Sequence, residues 1–387
     1  MGGTRLTPNR YTAFVRAVAA HEPTNNQGKP TSSHKKSGAW AYAPRVLVSL
    51  AIAGGFVWLF KRGGLPLIPP ASTLSAVQPW GIAAYCLVLA LGIYLRVHRW
   101  LPLLRPVAPD ISEPRVVAVG LIGIATIMLA PLRMGEAARP YLLARDGKVT
   151  FFQALGAAGA ERVVDGLVLT LSAAFALTLS TPISPLPDHL GDVALPVSII
   201  PRAIYVAAVV FAGGAFSLTV FYLARGFAHR ATMTLLNPIS TKLGSFVTST
   251  LERLADGLNV LGSPENRLRF FAETLLYWLC QLIAQWLLMR ACGIQATMAE
   301  ACVTLGVLGL GVIVPAGPGL FGAFQIGTYS GLALYFPLSI LRTSGAAMAF
   351  ISYGSQLLAM LLSLGLGFWL LARSKRTLLL ESRDAGV

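Results

Sequence analysis

Nine apolar segments, each 14 to 27 residues long, follow one another between residues 46 and 371. They are Val46–Phe60, Trp80–Leu95, Val116–Leu132, Gly166–Ser180, Ala203–Leu223, Phe270–Met289, Ala301–Val314, Leu320–Phe336 and Gly345–Leu371. A helix needs about 20 residues to cross the hydrocarbon core of a bilayer, and about 17 at the short end. Because backbone groups inside lipid must be satisfied internally, we expect an all-α, polytopic transmembrane helical bundle.

Composition supports this fold class and excludes others. Charged residues make up 12% of the chain and mean hydropathy is +0.65, whereas soluble domains carry about 25% charged residues. The four cysteines form no CxxC pair, and the sequence contains no nucleotide-binding loop or hydrolase motif. We therefore expect no enzymatic activity, no cofactor and no metal. Without an ATPase motif, any transport must be facilitated or coupled to an ion gradient or membrane potential.

The net charge of +15 tests the membrane topology. If all nine segments cross once, Lys and Arg divide almost evenly, with 14 inside and 16 outside. If Val116–Leu132 instead enters and returns to the same side, the division becomes 25 inside and 5 outside. Cytoplasmic loops carry the excess of basic residues, so we predict a re-entrant third segment and cytoplasmic termini. The basic excess then reflects membrane orientation rather than nucleic-acid binding.

The regions outside the apolar segments complete the domain organisation. Residues 1–40 are predicted to be a disordered basic cytoplasmic tail, and residues 373–387 a short basic one. The membrane domain spans residues 41–372. Within it, leucines and valines at three- and four-residue spacing predict an amphipathic helix at about 240–262. This helix either lies on the cytoplasmic leaflet or packs against the bundle.

A first polar site follows the third segment and continues into the fourth. Its charged members are Arg133, Glu136, Arg139, Glu161, Arg162 and Asp165, with Pro131 and Gly135 as predicted hinges. Glu161 and Asp165 are four residues apart and share one helix face. Charges at the edge of lipid are costly unless they pair or face water. In one hypothesis the arginines bind a phosphate or other anionic headgroup, while the carboxylates orient the arginines or accept a cationic headgroup. In the other, the charges form a structural ion-pair network that holds the re-entrant element.

Two further polar features lie in later segments. Glu273, Tyr277, Gln281 and Gln285 recur every four residues and form one polar stripe, facing a wet interior or hydrogen-bonding between helices. A Pro/Gly-rich stretch follows the short segment Ala301–Val314 and predicts a broken or re-entrant helix. Its hinges are Pro315, Gly317, Pro318, Gly319 and Gly322, with Gln325 beyond them. Pro131-x-x-x-Gly135 and Pro318-x-x-x-Gly322 each follow a glycine-containing apolar segment that we expect to break inside the membrane. Two corresponding interrupted segments favour an inverted repeat around a central site.

At these residues the sequence resembles the transmembrane, flippase-like domain of lysylphosphatidylglycerol synthases. The resemblance is carried by residues 131–139, 161–165 and 314–322 and covers roughly residues 45–372. It implies that the residues of the first polar site match the family's charged motif, and Pro315, Gly319 and Gly322 its Pro/Gly motif. Two departures are expected to matter. The chain resembles a standalone form without the aminoacyl-transferase domain, and Gln325 replaces a glutamate typical of the family.

The sequence predicts a lipid flippase of the bacterial inner membrane. It would move a phospholipid or glycolipid between leaflets, with the headgroup held in a charged intramembrane cavity. The alternative is a membrane-embedded lipid-modifying enzyme, or the membrane subunit of one, with Glu161 and Asp165 as acid and base. A scaffold for a soluble synthase is a third hypothesis. The expected partner is an anionic phospholipid or glycolipid; nucleic acid is excluded, and a separate lipid-synthesising enzyme and homo-oligomerisation are left open.

Overall fold

The computed structural model describes residues 43–106, 108–129, 135–145, 147–193, 196–236, 238, 240–242, 244–249, 263–313 and 316–384. Residues from 44 onward form one compact unit. Its principal helices are α1 Ala43–Arg62, α2 Pro79–His98, α3 Glu113–Leu129, α4 Ala138–Ala144, α5 Phe151–Thr178, α6 Ile200–Leu223, α7 Arg225–Leu236, α8 Pro264–Ala291, α9 Met298–Gly311, α10 Ala323–Leu332 and α11 Ala346–Asp384.

Short helical elements join the principal helices. They are Ala71–Ser75, Trp100–Leu104, the 3₁₀ turns Val197–Ile199 and Pro318–Leu320, Leu338–Ile340 and the π-helical turn Leu341–Gly345. The part of the chain that the structure describes contains no β-strand. The all-α prediction is therefore confirmed. The predicted tail 1–40 lies outside the described residues, as does most of the predicted amphipathic helix, of which 244–249 are helical.

Within the part of the chain that the structure describes, four stretches are long and apolar enough to cross a membrane by length and composition. They are Pro79–Leu104, Val197–Val220, Pro264–Ala291 and Leu338–Arg373. Helix α5 has 28 residues and is about 42 Å long at 1.5 Å per residue, but it carries Glu161, Arg162 and Asp165 near its middle. Large apolar side chains are exposed along α6 and α11, among them Val209 and Phe216. Such a surface is suited to lipid.

The connecting segments gather into two groups at opposite ends of the bundle. At one end Lys148 Nζ donates to the Asp110 carbonyl, and Trp100 packs in one apolar cluster with Val149 and Phe270. At the other end the Asp192 amide donates to Gly63 and the Ile183 amide to Leu334. The first end contains the loops predicted to be cytoplasmic. The second contains the loops predicted to lie outside.

Helices α3 and α4 form a hairpin that starts and finishes at the first end. Gly123 lies against Arg139, and Gly135 lies against the backbone of Thr126 and Ile127, so the two arms are antiparallel. From Gly135 onward the chain therefore runs back alongside α3. Val116 and Leu143, one on each arm, belong to the same apolar cluster at this end. This geometry agrees with the re-entrant third segment that the charge count predicts.

Helices α9 and α10 form a second hairpin that starts and finishes at the opposite end. Gly331 lies against Thr304, and Gly327 against Leu308, which makes these arms antiparallel as well. With 14 and 10 residues, the arms are about 21 and 15 Å long and too short to cross a core about 30 Å thick. Residues 316–322, the described part of the Pro/Gly-rich stretch, form the tip between them. Leu320 at this tip packs against α3, so the two hairpins meet inside the bundle.

Candidate functional site

A buried arginine that follows α2 holds both carboxylates of α5. Arg99 Nη1 donates to Asp165 Oδ1 at 2.6 Å and Arg99 Nη2 to Asp165 Oδ2 at 2.7 Å, a bidentate pair. Arg99 Nη2 also donates to Glu161 Oε1. Arg99 is fully buried, with 0% of its side chain exposed. Charges buried this deeply are stable only when paired and hydrogen-bonded.

Tryptophan and arginine side chains supply further hydrogen bonds to the two carboxylates. Trp100 Nε1 donates to Glu161 Oε2 at 2.8 Å and Arg139 Nη1 to the same oxygen at 2.9 Å. Trp278 Nε1 donates to Asp165 Oδ1 at 3.1 Å. The Arg139 guanidinium carbon stands 4.3 Å from the Trp100 ring centroid, a cation–π distance. Every oxygen of Glu161 and Asp165 therefore accepts at least one hydrogen bond.

This ion cluster, defined here as Arg99, Arg139, Glu161 and Asp165, joins elements that are distant in sequence. Arg99 lies between α2 and the turn Trp100–Leu104, Arg139 on the returning arm α4, and the carboxylates on α5. The cluster thereby fastens the first hairpin to the long helices. Of the two sequence-based interpretations of these charges, the cluster's contacts support a structural network for Glu161, Asp165 and Arg139.

A cavity of about 390 Å³ lies where the two hairpins meet. Its polar lining residues are Arg96, Glu136, Arg162, Asp165, Thr170, Tyr277, Trp278, Gln281 and Gln356. Its apolar wall includes Ile127 and Met128 from the first hairpin and Leu308, Leu320 and Phe324 from the second. We call it the main cavity. Its volume falls within the roughly 300–1,000 Å³ of small-molecule sites.

A second cavity of about 330 Å³ adjoins the ion cluster and is called the side cavity. Arg139 and Glu161 line it, together with the apolar residues Phe152 and Leu155, which are 62% and 42% exposed. Ile127, Glu136 and Arg162 line both cavities. The two spaces are thus neighbours that share one charged wall.

Two arginines of the main cavity differ from those of the ion cluster in lacking a carboxylate partner. Among the described residues, neither Arg96 nor Arg162 has an ion pair within 4.0 Å. Arg96 Nε is buried without a hydrogen-bond partner, and its guanidinium carbon lies 5.7 Å from the Tyr277 ring centroid. Both guanidinium groups act electrostatically on Glu161. They therefore give the main cavity a positive wall.

The predicted polar stripe of α8 divides among three environments. Tyr277 and Gln281 line the main cavity. Glu273 lies outside it, with its Oε2 2.8 Å from His98 Nδ1 and its Oε1 accepting from Arg269 Nε at 2.8 Å. Gln285 is buried and lines neither cavity, and its Nε2 has no partner within the described part of the chain. Only half of the stripe therefore reaches the site.

The predicted hinges form the turns of the hairpins where they are described. Gly319 and Gly322 have φ values of +71° and +92°, which L side chains rarely adopt. The Gln325 side chain accepts from the Gly322 amide at 2.8 Å and caps α10 instead of facing a cavity. Gly317 lies against Ala53, while Pro318 begins the 3₁₀ turn at the tip. Arg133, Pro131 and Pro315 lie outside the described residues.

Arg96 and Arg99 belong to the candidate site and were not found by sequence reasoning. They follow the second apolar segment and were counted among the basic residues of a cytoplasmic loop. The signal for both arginines in the sequence is the apolar run Trp100–Leu104 that follows them. Because of this run, α2 and its continuation form one apolar stretch of 26 residues that contains the two arginines. His98 was likewise missed, and it is buried beside Glu273 and Glu113.

No group of three or more His, Cys, Asp or Glu among the described residues is placed to hold a metal.

The fold and the site together define a class: a polytopic helical membrane protein with two opposed hairpins beside a charged cavity. Within that class, the family model described as "Lysylphosphatidylglycerol synthase TM region" matches residues 46–363. The chain belongs to this family, as the resemblance in the sequence indicated. No curated protein and no solved structure matches the chain significantly.

Proposed function

We propose that this protein moves the polar headgroup of a membrane lipid between leaflets while the acyl chains remain in the bilayer. One observation carries the proposal: the main cavity lies between the tips of two hairpins that enter from opposite ends of the bundle. Interrupted helices whose ends meet near mid-membrane commonly form transport sites. Small movements of either hairpin would open the cavity towards one end at a time.

The cavity walls support a lipid rather than a water-soluble substrate. Ile313 lines the main cavity and is 55% exposed, while exposed Phe152 and Leu155 line the side cavity. Apolar side chains that reach the outer surface of a membrane protein face acyl chains. A headgroup is therefore able to enter from the bilayer without its chains leaving lipid.

The carboxylates give less support to a lipid-modifying enzyme. A general acid or base needs a position from which it exchanges a proton with substrate. All oxygens of Glu161 and Asp165 already accept from arginine or tryptophan donors. We therefore propose transport without catalysis, in the bacterial inner membrane and with the more basic end of the bundle in the cytoplasm.

Reconstitution into vesicles tests the proposal. Purified protein is placed in liposomes that contain phosphatidylglycerol labelled with a fluorophore on its acyl chain, and dithionite is added outside to quench exposed label. Wild-type protein is expected to bring inner-leaflet label within reach of dithionite. Arg162→Gln is expected to slow this by about tenfold or more, because a hydrogen bond to a charged group contributes about 1.5–3 kcal/mol.

The matched control is Arg202→Gln, since Arg202 is exposed and lines neither cavity. It is expected to transport at the wild-type rate. Size-exclusion profiles and thermal unfolding check that every variant is folded. Equal transport by folded Arg162→Gln and wild-type protein would contradict the role of the cavity. Wild-type vesicles that behave like protein-free vesicles would contradict the proposed function itself.

A further inference from the structure

The charges that line the cavities differ in whether they are already paired. Glu161 and Asp165 are occupied on all their oxygens, and Glu136 has an interaction of its own. A cationic headgroup would therefore have to share a carboxylate with arginine and tryptophan donors, beside guanidinium groups of its own sign. Displacing an arginine instead would leave a buried charge uncompensated, which is strongly unfavourable.

The cations, by contrast, retain unused donors. Arg96 Nε and Arg139 Nε and Nη2 are buried without hydrogen-bond partners in the described part of the chain. Arg162 has no ion pair there and lines both cavities. Guanidinium groups at membrane depth are costly unless an anion or water satisfies them. Arg96 and Arg162, which border the main cavity without a carboxylate partner among the described residues, thus form a receptor for an anion.

The other polar groups of the main cavity are neutral. Gln281 and Gln356 present amides, which exchange hydrogen bonds with hydroxyl groups. Tyr277 and Trp278 present aromatic rings, whose ring centroids lie 5.0 Å apart. Amides beside aromatic faces suit a polyol, and guanidinium groups suit the two oxygens of a phosphate ester. The cavity therefore combines a site for phosphate with a site for uncharged hydroxyl groups.

We infer that the cavity selects a lipid with an anionic phosphate ester and a neutral, hydroxyl-rich headgroup that carries no ammonium group. The inference rests on the proposed function, because it names the substrate class of the same cavity. Arg96 and Arg162 bind the phosphate, and Gln281 and Gln356 bind the hydroxyl groups. A headgroup bearing an amine is rejected because every described carboxylate at the cavity is already engaged.

Native mass spectrometry of the detergent-solubilised full chain tests this selectivity without requiring transport. Four lipids with identical acyl chains are added in competition: phosphatidylglycerol, phosphatidic acid, phosphatidylethanolamine and lysyl-phosphatidylglycerol. Phosphatidylglycerol is expected to bind at least about tenfold more tightly than either amine-bearing lipid, and more tightly than phosphatidic acid. Arg96→Gln and Arg162→Gln are each expected to weaken its binding about tenfold, the factor for one charge-assisted hydrogen bond, while Arg202→Gln does not.

Two further measurements, with Arg162→Lys and with inorganic phosphate, separate recognition of a lipid headgroup from binding of a soluble anion. Arg162→Lys keeps the charge but not the two-donor geometry, so it is expected to bind phosphatidylglycerol with intermediate affinity. Inorganic phosphate at millimolar concentration is expected to leave lipid binding unchanged; displacement of the lipid would identify a site for a soluble anion and overturn the inference. Equal or tighter binding of either amine-bearing lipid would also overturn it. Selective binding without dithionite-detected transport would contradict only the proposed function.

Discussion

Arg99 is the residue on which the ion cluster depends most. It is the common partner of Glu161 and Asp165, and it donates to Thr274 of α8 at 3.3 Å as well. Glu161 and Asp165 were predictable from the sequence because charged residues four apart in an apolar helix stand out. Arg99 was not, since an arginine at the end of an apolar segment has the ordinary appearance of a topology signal. Its burial depends on tertiary contacts that spacing does not reveal.

Removing this arginine is expected to destabilise the fold. Arg99→Met leaves two carboxylates buried without their main partner, a change that typically costs about 3–5 kcal/mol. Thermal unfolding in detergent measures the effect. Arg96→Gln, three residues earlier and without a carboxylate partner among the described residues, is expected to lie within about 1 kcal/mol of wild type. Wild-type stability of Arg99→Met would show that the cluster does not hold the bundle together.

At the scale of elements, the two hairpins follow from interruptions in apolar segments. The short segment Ala301–Val314 and the Pro/Gly stretch after it predicted a broken helix, and α9 and α10 form one. The first hairpin was predictable only through charge counting, because Val116–Leu132 is long enough to cross a bilayer. The sequence did not reveal that both tips meet at one cavity. That meeting depends on Leu320 packing against α3, a contact between residues far apart in the chain.

The turn at Gly322 provides a test at this scale. Its φ of +92° disfavours any side chain, and a Cβ there would overlap the Phe56 ring of α1. Gly322→Ala is expected to destabilise the protein by about 1–3 kcal/mol through overpacking and strain. Gly354→Ala is the matched control, because no atom lies within 4 Å of the Cβ position at Gly354 in α11. The assigned turn geometry would be contradicted if the unfolding temperature fell equally for both variants, or if it fell for neither of them.

At the scale of the whole molecule, basic residues and connecting segments agree on one topology. The loops that the charge count places together are also together in space, as Lys148 and Asp110 show at one end and Gly63 and Asp192 at the other. The charge count distinguishes the two topologies because 25 of the 31 basic residues lie on one predicted side of the membrane. The charge count does not predict which arginines lie inside the bundle, and the candidate site depends on those arginines.

Thiol labelling of intact bacteria and inverted membrane vesicles tests this topology. Exposed Cys86 is first replaced by Ala, and single cysteines are introduced as Arg145→Cys at the more basic end and Asp192→Cys at the other. A membrane-impermeant maleimide is expected to label Arg145→Cys only in inverted vesicles. It is expected to label Asp192→Cys only in spheroplasts, which are cells without their outer membrane. Labelling of both positions from the same side would contradict two ends separated by the bilayer.

The central claim is that a headgroup passes through the main cavity between the hairpins. Met128 and Leu320, one from each hairpin, line this cavity and pack in one apolar cluster. The most direct test is the dithionite assay on Met128→Cys/Leu320→Cys protein joined by a short, reducible thiol cross-linker. Each single-cysteine variant, treated in the same way, is the control. Lipid transport is expected to stop on cross-linking and return on reduction, whereas unchanged transport by the cross-linked protein would contradict the account.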